Sequence, residues 1–257
     1  MGSFDLVEKK VLMENMTWIE VSEALKETDI VLVPVGSQEP HGPHCPLSTD
    51  SINALSVAKK TAEKLRNEFP VLVTPLIPIG CSMEHKDFPG FISLGTNTLM
   101  KVLKDICSSL FTQGFKKIII VNGHGGNTSA LQAAANSIRD ELGFRIGVVT
   151  WWDLLKGEIS IDHAGWVETS MVMANRPELV DEAKIPEASK KPDGEKAEFN
   201  VMTPMPLFKN IAPLGYIGDP EKASAEKGEK LTDKASDRLA QYIREVRRRG
   251  HLFGQAP

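Results

Sequence analysis

The chain has 257 residues and a formal net charge of −4. This size suits one α/β domain over residues 1–257, and the absence of a basic patch argues against nucleic acid as the main partner. No apolar run reaches the roughly 20 residues of a transmembrane helix, no signal peptide is recognisable, and three widely spaced cysteines favour a reducing, cytoplasmic location.

Apolar runs alternate along the chain with stretches of helical periodicity. Strands are predicted at residues 30–35, 71–79, 117–121 and 145–150. Pro75 and Pro78 place the second strand at an edge or end it early. Helices are predicted at residues 51–67, 97–112, 127–142, 168–174 and 221–249, with Asp50 or Ser51 able to cap the first. This order predicts a mostly parallel central sheet with helices on both faces.

Two segments in the last third of the chain have a different composition. Residues 187–198 are highly charged, which predicts a surface loop, and residues 203–218 hold three prolines, which predicts an irregular segment that could act as a lid.

Carboxylates and imidazoles follow the ends of the predicted strands. Glu39 and His41 follow the first strand, and His124 follows the third. Ligands of open α/β sheets bind beyond the carboxyl ends of the strands. In an extended backbone, Glu39 and His41 point to the same side, because they are two residues apart. Asp50 stands nine residues after His41, just ahead of a helix, where a loop can fold it back.

Each of these features has a plainer alternative. Asp50 could be an N-cap, and Glu168 could be a favourable carboxylate in a first helical turn. His44 and His85 could be histidines that bond to backbone, and residues 122–127 (NGHGGN) could be a flexible turn. The features are less easily explained together than one by one. The chain combines the Glu-x-His-x8-Asp spacing of residues 39–50 with a histidine after a strand, His124, and with Glu168 five residues after His163.

A mixed set of imidazole and carboxylate ligands suits Zn²⁺, Mn²⁺ or Fe²⁺, and it does not suit a Ca²⁺ cage or a thiolate site. If Glu39, Asp50 and Glu168 bind two divalent ions, three negative charges face four positive ones. The remaining positive charge favours a bridging hydroxide over water near neutral pH, because metal ions lower the pKa of bound water. That hydroxide is the nucleophile that a hydrolase needs.

Several short motifs are more specific than single residues. They are PVGSQEPHGPH at residues 34–44, EH at 84–85 with FPG at 88–90, NGHGGN at 122–127, HAG at 163–165, ETS at 168–170, GDP at 218–220 and EKG at 226–228. In these motifs the chain resembles the creatininase (creatinine amidohydrolase) family, along nearly its whole length.

The resemblance implies a compact α/β fold, a two-metal centre that usually holds Zn²⁺ or Mn²⁺, and hydrolysis of a non-peptide C–N amide bond in a small molecule, often by a homo-oligomer such as a hexamer. It implies that Glu39, Asp50 and His124 hold one ion, and that His41, Asp50 and a second carboxylate hold the other. His163, near its ordinary pKa of about 6.5, would protonate the leaving nitrogen.

Three positions depart from the family pattern. Creatininases supply the second-metal carboxylate from the position that is Gly126 here, so we expect Glu168 to replace it and to serve in catalysis. Relatives tend to have Gln at the position of Pro40, and many have Glu at the position of Trp166. The resemblance therefore does not establish creatinine itself as the substrate.

The remaining assignments concern substrate contact or the orientation of ligands. These residues are His44, His85, Gly125, Gly126, Trp152 and Trp166. His44 is expected to orient a ligand or its loop, and His85 to contact the substrate. The glycine N–H groups would stabilise an oxyanion. The tryptophans would line the pocket, with core packing as the alternative.

The sequence thus predicts a metal-dependent amidohydrolase with two divalent ions. The alternatives are a formamide hydrolase or a small-peptide peptidase on the same fold, and a non-catalytic small-molecule-binding protein. The last would require a broken set of metal ligands, whereas every ligand type is present apart from the glycine at position 126.

Overall fold

The apolar runs of the sequence form a parallel sheet in the computed structural model, which describes residues 10–186 and 207–249. The strands are β1 (Ile30–Val35), β2 (Leu72–Val73), β3 (Lys117–Asn122) and β4 (Gly147–Thr150). Their order is β2-β1-β3-β4, and each neighbouring pair is parallel. The first and third strands were predicted within one residue of their observed ends.

Helices connect the strands, and in the described part of the chain three more come after the last strand. They are α1 (Trp18–Glu27), α2 (Thr49–Leu65), α3 (Thr96–Gln113), α4 (Thr128–Leu142), α5 (Trp166–Asn175), α6 (Phe208–Ile211) and α7 (Ala225–Arg249). The prediction missed α1, although its capping box of Thr17 and Glu20 is a recognisable start signal. The charged loop predicted at 187–198 lies outside the described residues. The irregular segment is described from residue 207 onward, where it contains the short α6.

The two faces of the sheet bury separate apolar clusters. In β1, Ile30 and Leu32 join a cluster with side chains of α2, α5 and α7. Their neighbours Val31 and Val33 join a second cluster with α3 and α4. Successive strand side chains point to opposite faces, so a strand buried on both sides reads as a continuous apolar run. The predicted α/β sheet with helices on both faces is therefore confirmed. Within the described ranges, no helix is long and apolar enough to cross a bilayer.

The strand ends determine where a site can form. Val35 at the end of β1 pairs in register with Asn122 at the end of β3, and Asn122 pairs with Thr150 at the end of β4. The loops after β1 and β3 therefore leave the sheet side by side. On the other side, β2 lies at the edge and ends before Pro75, as the proline pattern predicted.

Asp50 does not occupy the N-cap position of α2. Ser48 precedes α2 and makes no side-chain cap hydrogen bond, while Asp50 lies in the first turn and is buried. The prediction that Asp50 or Ser51 caps this helix is wrong. Two imidazoles near the Asp50 carboxylate account for its orientation.

Candidate metal centre

The loop after β1 carries Glu39 past the first turn of α2. A Cβ atom at Gly36 would lie 2.2 Å from the Ser51 Oγ and 2.5 Å from its Cα, so only glycine allows the loop to pass the helix this closely. The Ser37 hydroxyl donates to Oε2 of Glu39 at 2.7 Å, and the Glu39 N–H donates to the Leu47 carbonyl at 3.0 Å. Glu39 is therefore held both by its backbone and by its carboxylate.

His41 presents a defined nitrogen to the carboxylates. Its Nδ1 pairs with the Glu39 carbonyl oxygen at 3.2 Å, and because a carbonyl only accepts, Nδ1 carries the hydrogen. The other nitrogen, Nε2, lies 3.1 Å from Oδ1 of Asp50 and 3.8 Å from Oε2 of Glu168. Glu39 and His41 thus follow one strand, as predicted, and His41 meets Asp50 and Glu168.

The loop after β3, residues 122–127, is held by its two asparagines. The Asn122 side chain donates to the His124 carbonyl at 2.8 Å and accepts from the His124 N–H at 3.1 Å. The Asn127 side chain donates to the Gly36 carbonyl at 3.0 Å and accepts from the Cys81 N–H at 2.8 Å. These bonds join the loop to two other loops, so it is not the flexible turn that its composition also allowed.

His124 has the same arrangement as His41, with its two nitrogens exchanged. Its Nε2 donates to the Cys81 carbonyl at 2.9 Å. Its Nδ1 lies 3.1 Å from Oε2 of Glu39 and 3.2 Å from Oδ2 of Asp50. Asp50 therefore faces an imidazole with each of its oxygens, His41 on one side and His124 on the other.

The start of α5 adds His163 and Glu168. Ala164, between them, has a φ of 53°, in the left-handed region, and its N–H donates to Oε2 of Glu168 at 2.7 Å. His163 Nε2 donates to the Pro40 carbonyl at 2.8 Å, so its Nδ1 is free and lies 3.8 Å from Oε1 of Glu39. A strained residue therefore places two of the predicted side chains on the same cluster.

His85 lies closer to the cluster than the sequence indicated. Its Nε2 is 3.3 Å from Oε1 of Glu39, and its ring stacks on that of His163 with centroids 5.1 Å apart. The Phe208 ring, from α6, lies 4.5 Å from both imidazoles. Phe208 and Glu84, whose Oε1 is 3.5 Å from Nε2 of His124, were not assigned to the site from the sequence. The EH motif could have indicated Glu84, but nothing in the sequence marks Phe208.

Three groups of side chains have the composition and spacing of a metal site. Within each group, one ligand atom per residue lies within 4.8 Å of the others: Glu39, Asp50 and His124; His41, His163 and Glu168; Glu39, His85 and His163. The first two groups share no residue. Together they offer six ligands, enough for two ions.

Unpaired buried atoms fit a cation in this cluster. Among the described residues, Oε1 of Glu39, Nε2 of His41 and Oδ2 of Asp50 are buried without a hydrogen bond. Buried polar atoms are normally paired, so these require an explanation. Ligands at about 2.0–2.1 Å from a tetrahedral Zn²⁺ are roughly 3.3 Å apart, which matches the separations of 3.1 Å and 3.2 Å measured here. The donor set therefore fits a transition-metal ion.

Protons balance the charge of the cluster in the metal-free protein. Burial disfavours a charged imidazole, but the carboxylates, Asp50 foremost, outweigh burial and raise the pKa of His41 to about 10. Burial likewise opposes a charge on His124, but Glu39 and Asp50 hold its pKa well above the ordinary value. Burial works against a charge on Glu39 as well, yet His124 lowers the pKa of that carboxyl well below its usual range. The two imidazoles thus hold protons on the nitrogens that would bind divalent ions.

The pKa shifts of His163 and Glu168 favour the neutral form of each side chain, unlike those of His41, His124 and Glu39. Burial, and then the charge of His41, lower the pKa of His163 to about 3, so its imidazole is neutral at pH 7. The expectation that His163 keeps its ordinary pKa is therefore wrong. Burial raises the pKa of Glu168 to about 7, although the positive charge of His41 opposes this.

The other sequence-assigned residues lie around the cluster. Nε2 of His44 bonds to the Thr169 hydroxyl at 2.9 Å, and that hydroxyl lies 3.3 Å from the Ala164 carbonyl, to which it donates. His44 therefore supports the turn that presents Glu168, and its role in orienting a ligand stays a prediction. Gly125 and Gly126 are exposed at the 3₁₀ turn before α4, where their proposed oxyanion role stays a prediction.

The two tryptophans contact the core. Trp152 packs edge to face against Trp151, with centroids 5.4 Å apart, and the Lys227 ammonium lies 5.5 Å above the Trp166 ring. Both rings are partly buried against the cluster beneath α2 and α7. These contacts favour the packing alternative, and a role in lining the pocket stays a prediction.

Metal binding near pH 7 is expected to release about two protons per chain. His41 and His124 have raised pKa values, so both hold a proton below those values, whereas an imidazole that binds metal through the same nitrogen must lose it. The affinity for each Zn²⁺ ion should therefore fall as pH falls, by up to about tenfold per pH unit for the one imidazole proton that the ion displaces. Calorimetric titrations in two buffers of different ionisation heat measure the proton count, and a count of zero would contradict the prediction.

Comparisons with known proteins identify the family of the chain. The profile of the creatininase family, described as creatinine amidohydrolase, matches residues 14–243. The chain is 35% identical over 209 residues to a mycofactocin precursor peptide peptidase of Mycolicibacterium smegmatis, covering 79% of each protein. It is 28% identical over 264 residues to a creatinine amidohydrolase of Pseudomonas putida, covering 93% of this chain and 98% of the relative.

Solved structures of creatininase have the same fold. A mutant creatininase of the Zn–Zn type superposes with a TM-score of 0.79 at 26% identity, and a Mn creatininase with a TM-score of 0.77 at 25% identity. Each comparison covers 92% of this chain and 98% of the other. The predicted resemblance and the predicted enzyme class are both confirmed. The chain belongs to the creatininase family and is a metal-dependent amidohydrolase, an enzyme that hydrolyses carbon–nitrogen bonds.

Proposed function

We propose that this chain hydrolyses a non-peptide amide bond, cyclic or linear, in a small molecule, at a centre of two divalent ions. The observation that carries the proposal is the close approach of imidazole nitrogens to carboxylate oxygens, at 3.1–3.2 Å, in a buried cluster. Zn²⁺ and Mn²⁺ suit these donors best, and Fe²⁺ is the third choice.

The chain's own side chains divide between the two ions. Glu39, Asp50 and His124 would hold one, and His41, Asp50 and Glu168 the other, with Asp50 shared. When bound, the ions would ionise a water near neutral pH and polarise the substrate carbonyl. Glu168 supplies the carboxylate that position 126 lacks, because its Oε2 lies 3.8 Å from the free nitrogen of His41.

His163 moves the proton in this proposal. Its Nε2–H is held by the Pro40 carbonyl at 2.8 Å, so its Nδ1 lone pair is fixed toward the cluster. A neutral imidazole accepts a proton before it donates one. His163 would therefore take the remaining proton of the attacking hydroxide oxygen and deliver it to the departing nitrogen. The ring stacks on His85 and contacts Phe208, which restrict its rotation.

Glu168→Ala is expected to lower the metal content from two ions per chain to one. The first ion keeps Glu39, Asp50 and His124, whereas the second loses one of its two carboxylates and with it much of its charge compensation. Elemental analysis after dialysis measures the content. Glu178→Ala, which removes an exposed glutamate paired with Arg176, is the matched control and should keep both ions. Two ions in Glu168→Ala would show that this residue is not a ligand.

A peptide substrate is the second candidate. It is favoured by one observation: the relative named as a peptide peptidase is 35% identical, against 28% for the creatinine amidohydrolase. The ligand set is compatible with either substrate. Turnover of three compounds separates them: a cyclic amide, a formylamino compound and a short peptide. The proposal predicts turnover of the cyclic amide or another small amide, and cleavage of the peptide alone would overturn it in favour of the second candidate.

The proposal also covers the cellular location, the assembly and the partners of the enzyme. We place it in the cytoplasm as a homo-oligomer, a hexamer by family resemblance, with neither nucleic acid nor membrane as a partner. Trp18 and Ile19 on α1 are exposed large apolar side chains, which support association between copies. Light scattering of the purified protein measures the number of copies.

A further inference from the structure

One carboxylate at the cluster belongs to none of the three ligand groups. Glu84 lies in the short 3₁₀ helix Met83–His85, and its Oε1 is 3.5 Å from Nε2 of His124. Its side chain is 26% exposed, whereas those of Glu39 and Asp50 are 1% and 2% exposed. Glu84 therefore approaches His124 from the side opposite to Nδ1, the nitrogen that faces Glu39 and Asp50.

The glycine at position 126 leaves the space for this approach. A Cβ atom there would lie 2.8 Å from Oε1 of Glu84 and 2.4 Å from both Nε2 of His124 and the Cys81 carbonyl oxygen. Such separations are too short for non-bonded atoms, so any side chain at Gly126 would displace its neighbours. Cys81 cannot easily yield, because its N–H is bonded to the buried Asn127 side chain at 2.8 Å.

We propose that Glu84 is a positioning residue for His124, and that Gly126 is the residue that admits it. The inference rests on the metal centre of the proposed function. The Nε2–H of His124 donates to the Cys81 carbonyl at 2.9 Å, and the Glu84 carboxylate lies 3.5 Å from the same nitrogen. A carboxylate behind a metal-binding imidazole fixes the ring and makes its other nitrogen a stronger ligand. In this chain, the glycine at position 126 thus lacks a ligand side chain and also leaves room for Glu84 beside His124.

The first test measures Zn²⁺ affinity, by competition with a chromophoric chelator, in the wild type, Glu84→Gln and Glu63→Gln. Loss of such a partner typically weakens metal binding about 10–100-fold, and that loss is expected for Glu84→Gln. Glu63 is a glutamate on α2 that lies 3.7 Å from Lys59, away from the cluster, so Glu63→Gln should bind like the wild type. Glu84 is partly exposed, and its exchange for the isosteric glutamine is expected to leave the fold intact.

The second test distinguishes positioning from a general loss of charge. In the Zn²⁺-loaded protein, the Nε2–H resonance of His124 should shift in Glu84→Gln and stay unchanged in Glu63→Gln. Gly126→Ala should weaken Zn²⁺ binding as well, and adding Glu84→Gln to it should cost little more, because both act through the same ring.

The outcomes separate this inference from the function on which it rests. If the wild type binds Zn²⁺ and Glu84→Gln binds it equally well with an unchanged resonance, the role of Glu84 is refuted and the metal centre stands. If the wild type binds no Zn²⁺, the proposed function fails and the inference fails with it.

Discussion

Asp50→Ala is expected to lose both metal ions and to lower turnover by roughly a thousandfold or more, since a metal-dependent hydrolase without its ions lacks its nucleophile. Asp50 is placed to bind both ions: Oδ1 lies 3.1 Å from Nε2 of His41, and Oδ2 lies 3.2 Å from Nδ1 of His124. Removing it takes one ligand from each of the two proposed ions at once. His124→Ala should also lose metal and activity together.

The variant should fold, because α2 does not use the Asp50 side chain as a cap. Circular dichroism checks the fold, and elemental analysis with a turnover assay gives the result. Asp233→Ala is the matched control, since Asp233 is an exposed carboxylate on α7 that pairs with Lys60 and Lys64 at 3.0 Å. A full metal complement in Asp50→Ala would remove Asp50 from the ligand set.

His163→Ala is expected to keep its metal and to lose about 10²–10⁴-fold in turnover, the usual worth of a positioned acid or base. Its free Nδ1 faces the cluster, and burial, the largest cause of its lowered pKa, keeps the ring neutral at pH 7. The loss should appear in kcat more than in KM, because proton transfer belongs to the transition state.

His163 also belongs to one of the groups that could hold an ion, so the metal content of this variant decides between two roles. Loss of an ion together with turnover would make His163 a ligand. Full turnover with both ions present would refute the proton-transfer role. His44→Ala provides a comparison, since it removes an imidazole that bonds to Thr169 rather than facing the carboxylates.

Local sequence determined most of the sheet. Six consecutive apolar residues form β1 with the predicted ends, because a strand buried on both faces has no polar positions. The predicted strand at 71–79 shrank to Leu72–Val73, because the prolines after it lack the N–H groups that extend a parallel ladder. The shortening of this strand therefore follows from residue chemistry.

The site was predictable where position along the chain carries information. Glu39, His41 and His124 follow strands whose ends lie side by side, so their convergence follows from the topology. An aspartate ahead of a helix, by contrast, has the same local sequence pattern as a cap or as a ligand. The family resemblance favoured the ligand role of Asp50, and the placement of two imidazoles beside its carboxylate argues against the cap. Phe208 arrives from a distant segment with no spacing rule to indicate it.

The pKa of His163 was not predictable for a related reason. An imidazole's charge depends on burial and on neighbouring charges, and neither is local in sequence. The neighbour that matters is His41, whose ring centroid lies 4.4 Å away and which comes from another loop.

The most direct measurement is the anomalous scattering of a crystal grown with Zn²⁺ or Mn²⁺, recorded at the absorption edge of that metal. The proposal predicts two peaks per chain, one among Glu39, Asp50 and His124, and the other among His41, Asp50 and Glu168. A map with no peak there, and with these side chains turned away from each other, would contradict it.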